Sequence, residues 1–415
     1  MFDFIKNEEE VLHYWIDKDI NKKLREANKG NKAFYFLDGP PYASGNLHPG
    51  QIWVKSIKDI LVRYRRMCSY DVHDRAGYDV HGLPIENKVE KTLGLNSKKE
   101  IELKIGIDNF IKYCTEYANS LIPNMTKDFV RFGSSLDFQN PYLAYKDSFI
   151  ERAWNILKTA NEKGFLYSGS KPMLYCTHCG TVLAQGTLEI EYSDESDTSL
   201  FVEFKVNKKD SKPRIDITDN TYLLIWTTTP WTLPSNISVA VNPKERYVKL
   251  RIGEKSLILM KSRLDYILDL VDENAVIESE FFGSELEGIF YINPLEEKIK
   301  KQEELRKFHK VLMAQELVSS SEGSGIVHIA PGHGVEDYAL GKANSLPIFS
   351  TVDLNGKYNS DAGTFFGLSV PLDANIAILE ELKRKDLLLA TTKIKHSYPH
   401  CWRCKEKLLF LVTTQ

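Results

Sequence analysis

Four of the chain's cysteines stand in two pairs, Cys176-Thr177-His178-Cys179 and Cys401-Trp402-Arg403-Cys404. Each is a Cys-x-x-Cys knuckle, and two knuckles supply four thiolates, the ligand set of a closed tetrahedral zinc site. The stretch between them is far longer than a finger loop. One zinc held by both pairs therefore predicts a domain inserted into another, with metal at its root. Two separate half-sites or two redox motifs are the alternatives, though a redox pair would follow a strand in a compact βαβ unit. His178 and His400 could substitute as ligands. Cys68 and Cys114 stand alone and read as structural thiols.

A second chemistry is anion binding. The apolar run 33–37 leads into Asp38-Gly39-Pro40-Pro41-Tyr42-Ala43-Ser44-Gly45-Asn46-Leu47-His48-Pro49-Gly50-Gln51. This predicts a buried strand, a tight turn and a helix whose first turn carries His48 and Gly50. Unpaired N–H groups and the positive dipole end attract anions there. The glycines admit a ligand close to the backbone, and His48 can donate to a phosphate oxygen. The pattern suits a nucleotide and lacks the Gly-x-x-x-x-Gly-Lys-Ser/Thr loop.

A third cluster is Thr227-Thr228-Thr229 before Pro230, with His328 and Asp337 downstream. Hydroxyls at a strand's end could orient a water, a carboxylate could hold an ammonium, and an imidazole could limit side-chain size. On residue chemistry alone the threonines read sooner as strand filler and His328 as a satisfied core histidine.

Elements must position these groups. Trp53, Ile57, Ile60, Leu61 and Tyr64 fall on one apolar helix face, with Lys55, Lys58, Arg63, Arg65 and Arg66 mostly elsewhere on a solvated surface. Pro49 suits a first helical turn. Runs at 199–204, 222–226, 237–241 and 247–252, with more near 276–280 and 326–329, read as strands and suggest a closed β-barrel rather than a parallel sheet. The charged stretch 294–315 predicts a solvated helix. At 415 residues, two or three domains are expected. A net charge of −3 provides no bulk basic field, which counts against a non-specific nucleic-acid binder while leaving local RNA contacts open. The acidic amino terminus lacks a signal-peptide layout, and no apolar run approaches the ~20 residues of a membrane span, so a cytoplasmic protein is expected.

These motifs resemble those of class I aminoacyl-tRNA synthetases. Gly-Pro-Pro-Tyr with His-Pro-Gly-Gln is similar to the first signature, usually His-Ile-Gly-His. The segment Gly77-Tyr78-Asp79-Val80-His81-Gly82-Leu83-Pro84-Ile85-Glu86 resembles the second active-site segment of the isoleucyl, valyl and leucyl branch. Trp226-Thr227-Thr228-Thr229-Pro230-Trp231-Thr232-Leu233-Pro234 resembles its isoleucyl members, and residues 323–338 its editing domain. The resemblance implies an α/β fold: the first half of a Rossmann-like catalytic domain over 1–170, a zinc-ribbon stem over 171–197 and 385–410, a β-barrel-like editing domain over 198–384, and a return to the catalytic domain at 411–415.

The roles it implies are carried over by position. Gly39, Pro40 and Pro41 would shape the amino-acid pocket, and Asp79 would take the substrate ammonium. Gly45, His48, Gly50 and Gln51 would face ATP with Mg2+, with His48, Gly50 and Gln51 catalytic. Thr227, Thr228, Thr229, Trp231, His328 and Asp337 would form the editing site, His333 being a weaker candidate. Cys176, Cys179, Cys401 and Cys404 would hold structural Zn2+. Implied partners are tRNA(Ile), isoleucine and ATP. A hydrolytic second site has an energetic reason. A missing methylene is worth only ~1–3 kcal/mol in an apolar pocket, isoleucine against valine being the usual illustration. Gln51 departs from the signature's last histidine, replacing a ring by a neutral amide. No Lys-Met-Ser-Lys-Ser loop or anticodon-reading region occurs within the 415 residues. The expectation is thus an amino-terminal portion that works with a carboxy-terminal half. Rival readings are a valyl enzyme, a stand-alone editing hydrolase and a tRNA-binding fragment.

Overall fold

The computed structural model describes residues 3–43, 46–95, 98–184, 189–212, 214–271 and 274–415. They form two compact units, Met1–Tyr167 and Ser168–Gln415. The stem and editing segments separated above share the second unit.

In the first unit, strands Ala33–Leu37 and Asp71–Arg75 pair in parallel, and helix Pro49–Met67 links them as a crossover. Gly77–Tyr78 pairs in parallel with Tyr142–Leu143. Val62, Val72, Ala76 and Leu136 form a small core with Phe34 and Phe36. A larger cluster joins Tyr78, Ile85 and Val89 to Phe110, Met125 and Phe129 on helix Ile107–Arg131.

Two expectations are corrected here. Strand Ala33–Leu37 is covered on one face only: Tyr35 and Leu37 are 78% and 81% exposed. Helix Pro49–Met67 is turned the other way round from its apolar stripe. Trp53 is 72% and Ile60 67% exposed, while Lys55 and Arg66 are buried. The reason lies in the carboxylates beneath. Asp38 and Asp74 are buried at the strand ends. Lys55 and Lys58 reach Asp38, and Arg66 reaches Asp74 at 2.5 Å. An unpaired buried carboxylate costs several kcal/mol, so the cations face the carboxylates and the apolar stripe faces outward. Lys55, Val62 and Arg66 share a helical period with the apolar stripe, so spacing could not tell inside from outside.

The second unit holds a nine-stranded mixed sheet. Its main path runs Ala275–Phe282, Arg246–Ile252, Lys255–Met260, Thr221–Thr227, Ile326–Ile329, Ser238–Val241 and Val311–Met313. Strand Ile190–Lys205 adds to Thr221–Thr227 and pairs antiparallel with Leu388–Cys401. Three pairings are parallel: Lys255–Met260 and Ile326–Ile329, each with Thr221–Thr227, and Val311–Met313 with Ser238–Val241. The strands therefore do not build a purely antiparallel barrel. Hydrogen bonding does return on itself through residues 289–292. Phe290 bridges Lys310 and Tyr291 bridges Val206, supported by Ile292 N–H to Lys205 O at 2.8 Å and Val311 N–H to Ile289 O at 2.9 Å.

Two apolar clusters, around Ile225 and around Leu224, lie on either side of this sheet, as strand alternation requires. The stretch 294–315 is not one solvated helix. It holds a short helix Lys300–Leu305, whose Gln302 and Leu305 are buried, and the strand Val311–Met313. A separate three-stranded sheet, Leu409–Thr414, Ser170–Cys176 and Thr181–Leu183, carries the first knuckle. Among the described residues no helix is long and apolar enough to cross a membrane.

Candidate functional site

In the first unit the turn after Leu37 is fastened from below. Lys58 donates to Asp38 Oδ1 at 2.8 Å and to the Gly39 carbonyl at 2.6 Å, and Lys55 pairs with the same carboxylate. Lys55 sits over the Phe129 ring, and burial lowers its pKa despite the Asp38 charge. The Tyr142 hydroxyl donates to the Asp38 carbonyl. Its ring fills the space a Cβ on Gly77 would need. The turn is then tied to the second segment, Asp79 N–H to Pro41 O and Ala43 N–H to Asp79 O, both at 2.9 Å. Asp79 is half-buried beside Gly39, Pro40 and Pro41. Pro40 and Asp79 line an open groove of about 1110 Å³ with Tyr142 and Phe149.

His48 is the exposed N-cap of helix Pro49–Met67. Gln51 Oε1 accepts the His48 backbone N–H at 3.1 Å, one half of a capping box, while the Gln51 N–H goes to the His48 carbonyl. The amide that replaces the expected histidine thus has a structural task. Gly50 leaves room for the His48 ring, 3.1 Å from where a Cβ would stand. Gly45 lies outside the described residues.

In the second unit Thr221–Thr227 ends at the three threonines, and a 3-10 turn Pro230–Ser235 follows. Thr227 is buried and accepts the Thr229 N–H at 3.1 Å. Thr228 lines a cavity of about 520 Å³ with Phe201, Trp226, Arg263, Tyr266 and Lys395. His328 and Asp337 are not part of its lining, so the threonine run is split between environments.

Thr232 donates to the Thr229 carbonyl at 2.7 Å. His328 Nε2, 2.9 Å from Thr232 Oγ1, must therefore carry the proton. Its buried Nδ1 is left as an acceptor with no hydrogen-bond partner among the described residues. Burial pushes His328 down to about 4, and the ring is neutral at pH 7. Asp337, in the first turn of helix Val335–Ala343, accepts the Ala330 N–H at 2.8 Å. Its apolar surroundings push its pKa up to about 6. Trp231 is buried, its N–H given to Asn375 and its carbonyl taken by Tyr358.

The four cysteines come together. Cys176 and Cys401 end two strands, with Cys179 and Cys404 on the turns that follow. Sγ atoms of Cys176 and Cys404 are 3.4 Å apart and those of Cys179 and Cys401 4.0 Å, with all four within 4.8 Å of one another. Tetrahedral zinc with Zn–S near ~2.3 Å separates its sulfurs by ~3.8 Å, which this cage matches. Sulfur contacts move the thiols unequally: Cys176 is raised, first by Cys179, and Cys401 is lowered, first by Cys176. His178 and His400 are not among the clustered ligands.

The family described as tRNA synthetases class I (I, L, M and V) matches residues 10–402. The chain belongs to this family. It is 42% identical to an isoleucine–tRNA ligase of Pyrococcus abyssi, over 100% of the chain and 38% of that protein. It is 41% identical to the isoleucine–tRNA ligase of Sulfolobus acidocaldarius, over 100% of the chain and 39% of that protein. The chain thus spans well under half the length of the curated relatives it matches. Among solved structures, one titled "The crystal structure of GlLeuRS-CP1" overlaps 47% of this chain and 99% of its own, with 17% identity and a TM-score of 0.37. That level of likeness carries no inference.

Within this class I synthetase chain, some partners were hidden from sequence reasoning. Arg263 and Tyr266, three residues apart, and Lys395 line the Thr228 cavity from segments distant in sequence from Thr228. Asp38 and Lys58, which hold the signature turn, read as part of a turn and as a solvated helix face. The Asp-Gly-Pro-Pro run was the one available signal for Asp38.

Proposed function

We propose that the chain is the amino-terminal portion of an isoleucine–tRNA ligase, activating isoleucine with ATP for transfer to tRNA(Ile) and hydrolysing misactivated valine. It would act in the cytoplasm together with the further length its relatives carry. The observation that carries the reading is the pair of backbone hydrogen bonds between Asp79 and residues 41 and 43, which sets Asp79 beside the Gly-Pro-Pro turn. Asp79 holds the substrate ammonium while Gly39, Pro40 and Pro41 bound the side-chain pocket. His48, Gly50 and the free N–H groups of the helix face ATP, and Gln51 fixes that end. The isoleucine carboxylate attacks the α-phosphate and pyrophosphate leaves. These residues act by positioning and charge stabilisation. Mg2+ carried with ATP supplies neutralisation of phosphate charge.

In the second unit Thr228 and Thr229 orient water toward the ester, Asp337 holds the ammonium of valine, and Trp231 and His328 bound the small pocket. Water adds to the ester carbonyl, the tRNA ribose oxygen leaves with a proton, and valine is released. Cys176, Cys179, Cys401 and Cys404 hold one structural zinc.

In the synthetase carrying this chain, Asp79→Ala should lower kcat/KM for isoleucine in ATP–pyrophosphate exchange at least 100-fold, with the KM for ATP nearly unchanged. An unaltered isoleucine dependence, or a preference for valine, would overturn the assignment.

A further inference from the structure

Ser235, His333 and Phe410 belong to segments far apart in the chain: the 3-10 turn Pro230–Ser235, the turn before helix Val335–Ala343, and strand Leu409–Thr414. The His333 ring joins them. Nδ1 lies 3.0 Å from the Phe410 carbonyl, which can only accept, so Nδ1 carries the proton. Nε2 is then the acceptor, with the Ser235 hydroxyl at 3.0 Å and the Ser350 hydroxyl farther off at 3.3 Å. Ser235 Oγ accepts in turn from the Thr351 N–H at 3.0 Å and the Thr351 hydroxyl at 2.8 Å. Burial pushes His333 down to about 4, so the neutral ring satisfies this pattern at pH 7. His328 carries its proton on the opposite nitrogen.

A serine against a histidine suggests a nucleophile and base. Ser235, however, is wholly buried, and its oxygen already accepts two donors. Acyl transfer there is not supported. What the ring does touch is the turn. It meets the Trp231 indole edge-on, centroids 5.1 Å apart at 77°. Strand Leu409–Thr414 pairs along Ser170–Cys176, which ends on a clustered cysteine. His333 therefore fastens the Trp231 turn to the sheet that carries the cysteine centre.

We propose that His333 is a positioning residue for ester hydrolysis in the second unit: it pins the turn bearing Trp231 and Thr232 and thereby sets the approach of the aminoacyl end, without touching it. This rests on the editing reading given above. The pin works through the Phe410 and Ser235 hydrogen bonds in series, so losing either end loosens the turn; Ser350, also near Nε2, lies outside the turn and does not replace Ser235 as its link to the ring.

The test uses the whole chain and valyl-tRNA(Ile). His333→Asn keeps a donor near the Nδ1 place and removes Nε2, and Ser235→Ala removes its partner. Each should slow single-turnover deacylation at least tenfold while the half-saturating tRNA concentration changes less than threefold. The double variant should be no slower than the worse single one, the signature of a shared interaction. His333→Gln, whose amide reaches the Nε2 place, should recover part of the rate. The imidazole 15N shifts should report a neutral Nδ1–H ring in the native chain. Full deacylation rates in the folded variants, or an Nε2–H ring, would overturn the proposal. Should His333→Asn fail to fold, Ser235→Ala decides. A native chain that does not deacylate at all would defeat the editing reading itself, and the pin's catalytic role with it. Active variants beside an active native chain defeat the pin alone.

Discussion

Asp337 and His328, both assigned to the proposed hydrolytic site, stand in unlike states. The carboxyl is raised to about 6 by burial, and the histidine is lowered to about 4. An ammonium needs the ionised carboxylate, so kcat/KM for valyl-tRNA(Ile) should fall as pH drops through about 6, with the inflection lost in Asp337→Asn. A profile flat from pH 5 to 8 would remove Asp337 from that role. The histidine stays neutral throughout and contributes no inflection there. In the first unit Asp38 is the residue on which two cations depend. Asp38→Ala leaves Lys55 buried without its carboxylate and should cost roughly 3–5 kcal/mol, read as the urea midpoint of that unit. Lys58→Met should cost less, since Lys55 still neutralises Asp38. His48 and the cysteines could be picked out from residue type and spacing, and Asp79 and the threonines by the resemblance. Asp38, Ser235 and Phe410 could not, because their partners are brought together only by the folded chain.

Helix Pro49–Met67 shows at the scale of elements why sequence was only partly legible. Its start, Pro49 after His48, was readable because proline and the cap leave local marks. Its orientation was not, because the apolar and cationic stripes have the same period and only the buried Asp38 and Asp74 decide between them. Gln51 gives a direct check. Removing its capping acceptor in Gln51→Ala should cost about 0.3–1.5 kcal/mol, and Gln51→Glu should keep the native stability. Equal stability of the alanine variant would mean the 3.1 Å contact is idle. The strands of the second unit were legible as β runs. Their parallel pairings were not, since pairing partners leave no trace in a single run of residues.

At the scale of the whole molecule, each unit gathers distant segments around a chemical centre. The cysteine centre unites residues at the two ends of the second unit, so metal loss should act on its folding rather than on one loop. One zinc per chain is expected, and chelation should lower the Tm of this unit by roughly 10 °C or more. Zinc-free protein with an unchanged Tm would separate the cage from stability. Two bound metals per chain would point to separate knuckles.

The most direct measurement is single-turnover deacylation by the chain of valyl-tRNA(Ile) against isoleucyl-tRNA(Ile). Valyl ester should be hydrolysed at least 100-fold faster, and both Thr228→Ala and Asp337→Ala should abolish the difference. Equal hydrolysis of the two esters, or no loss in either variant, would contradict the editing assignment.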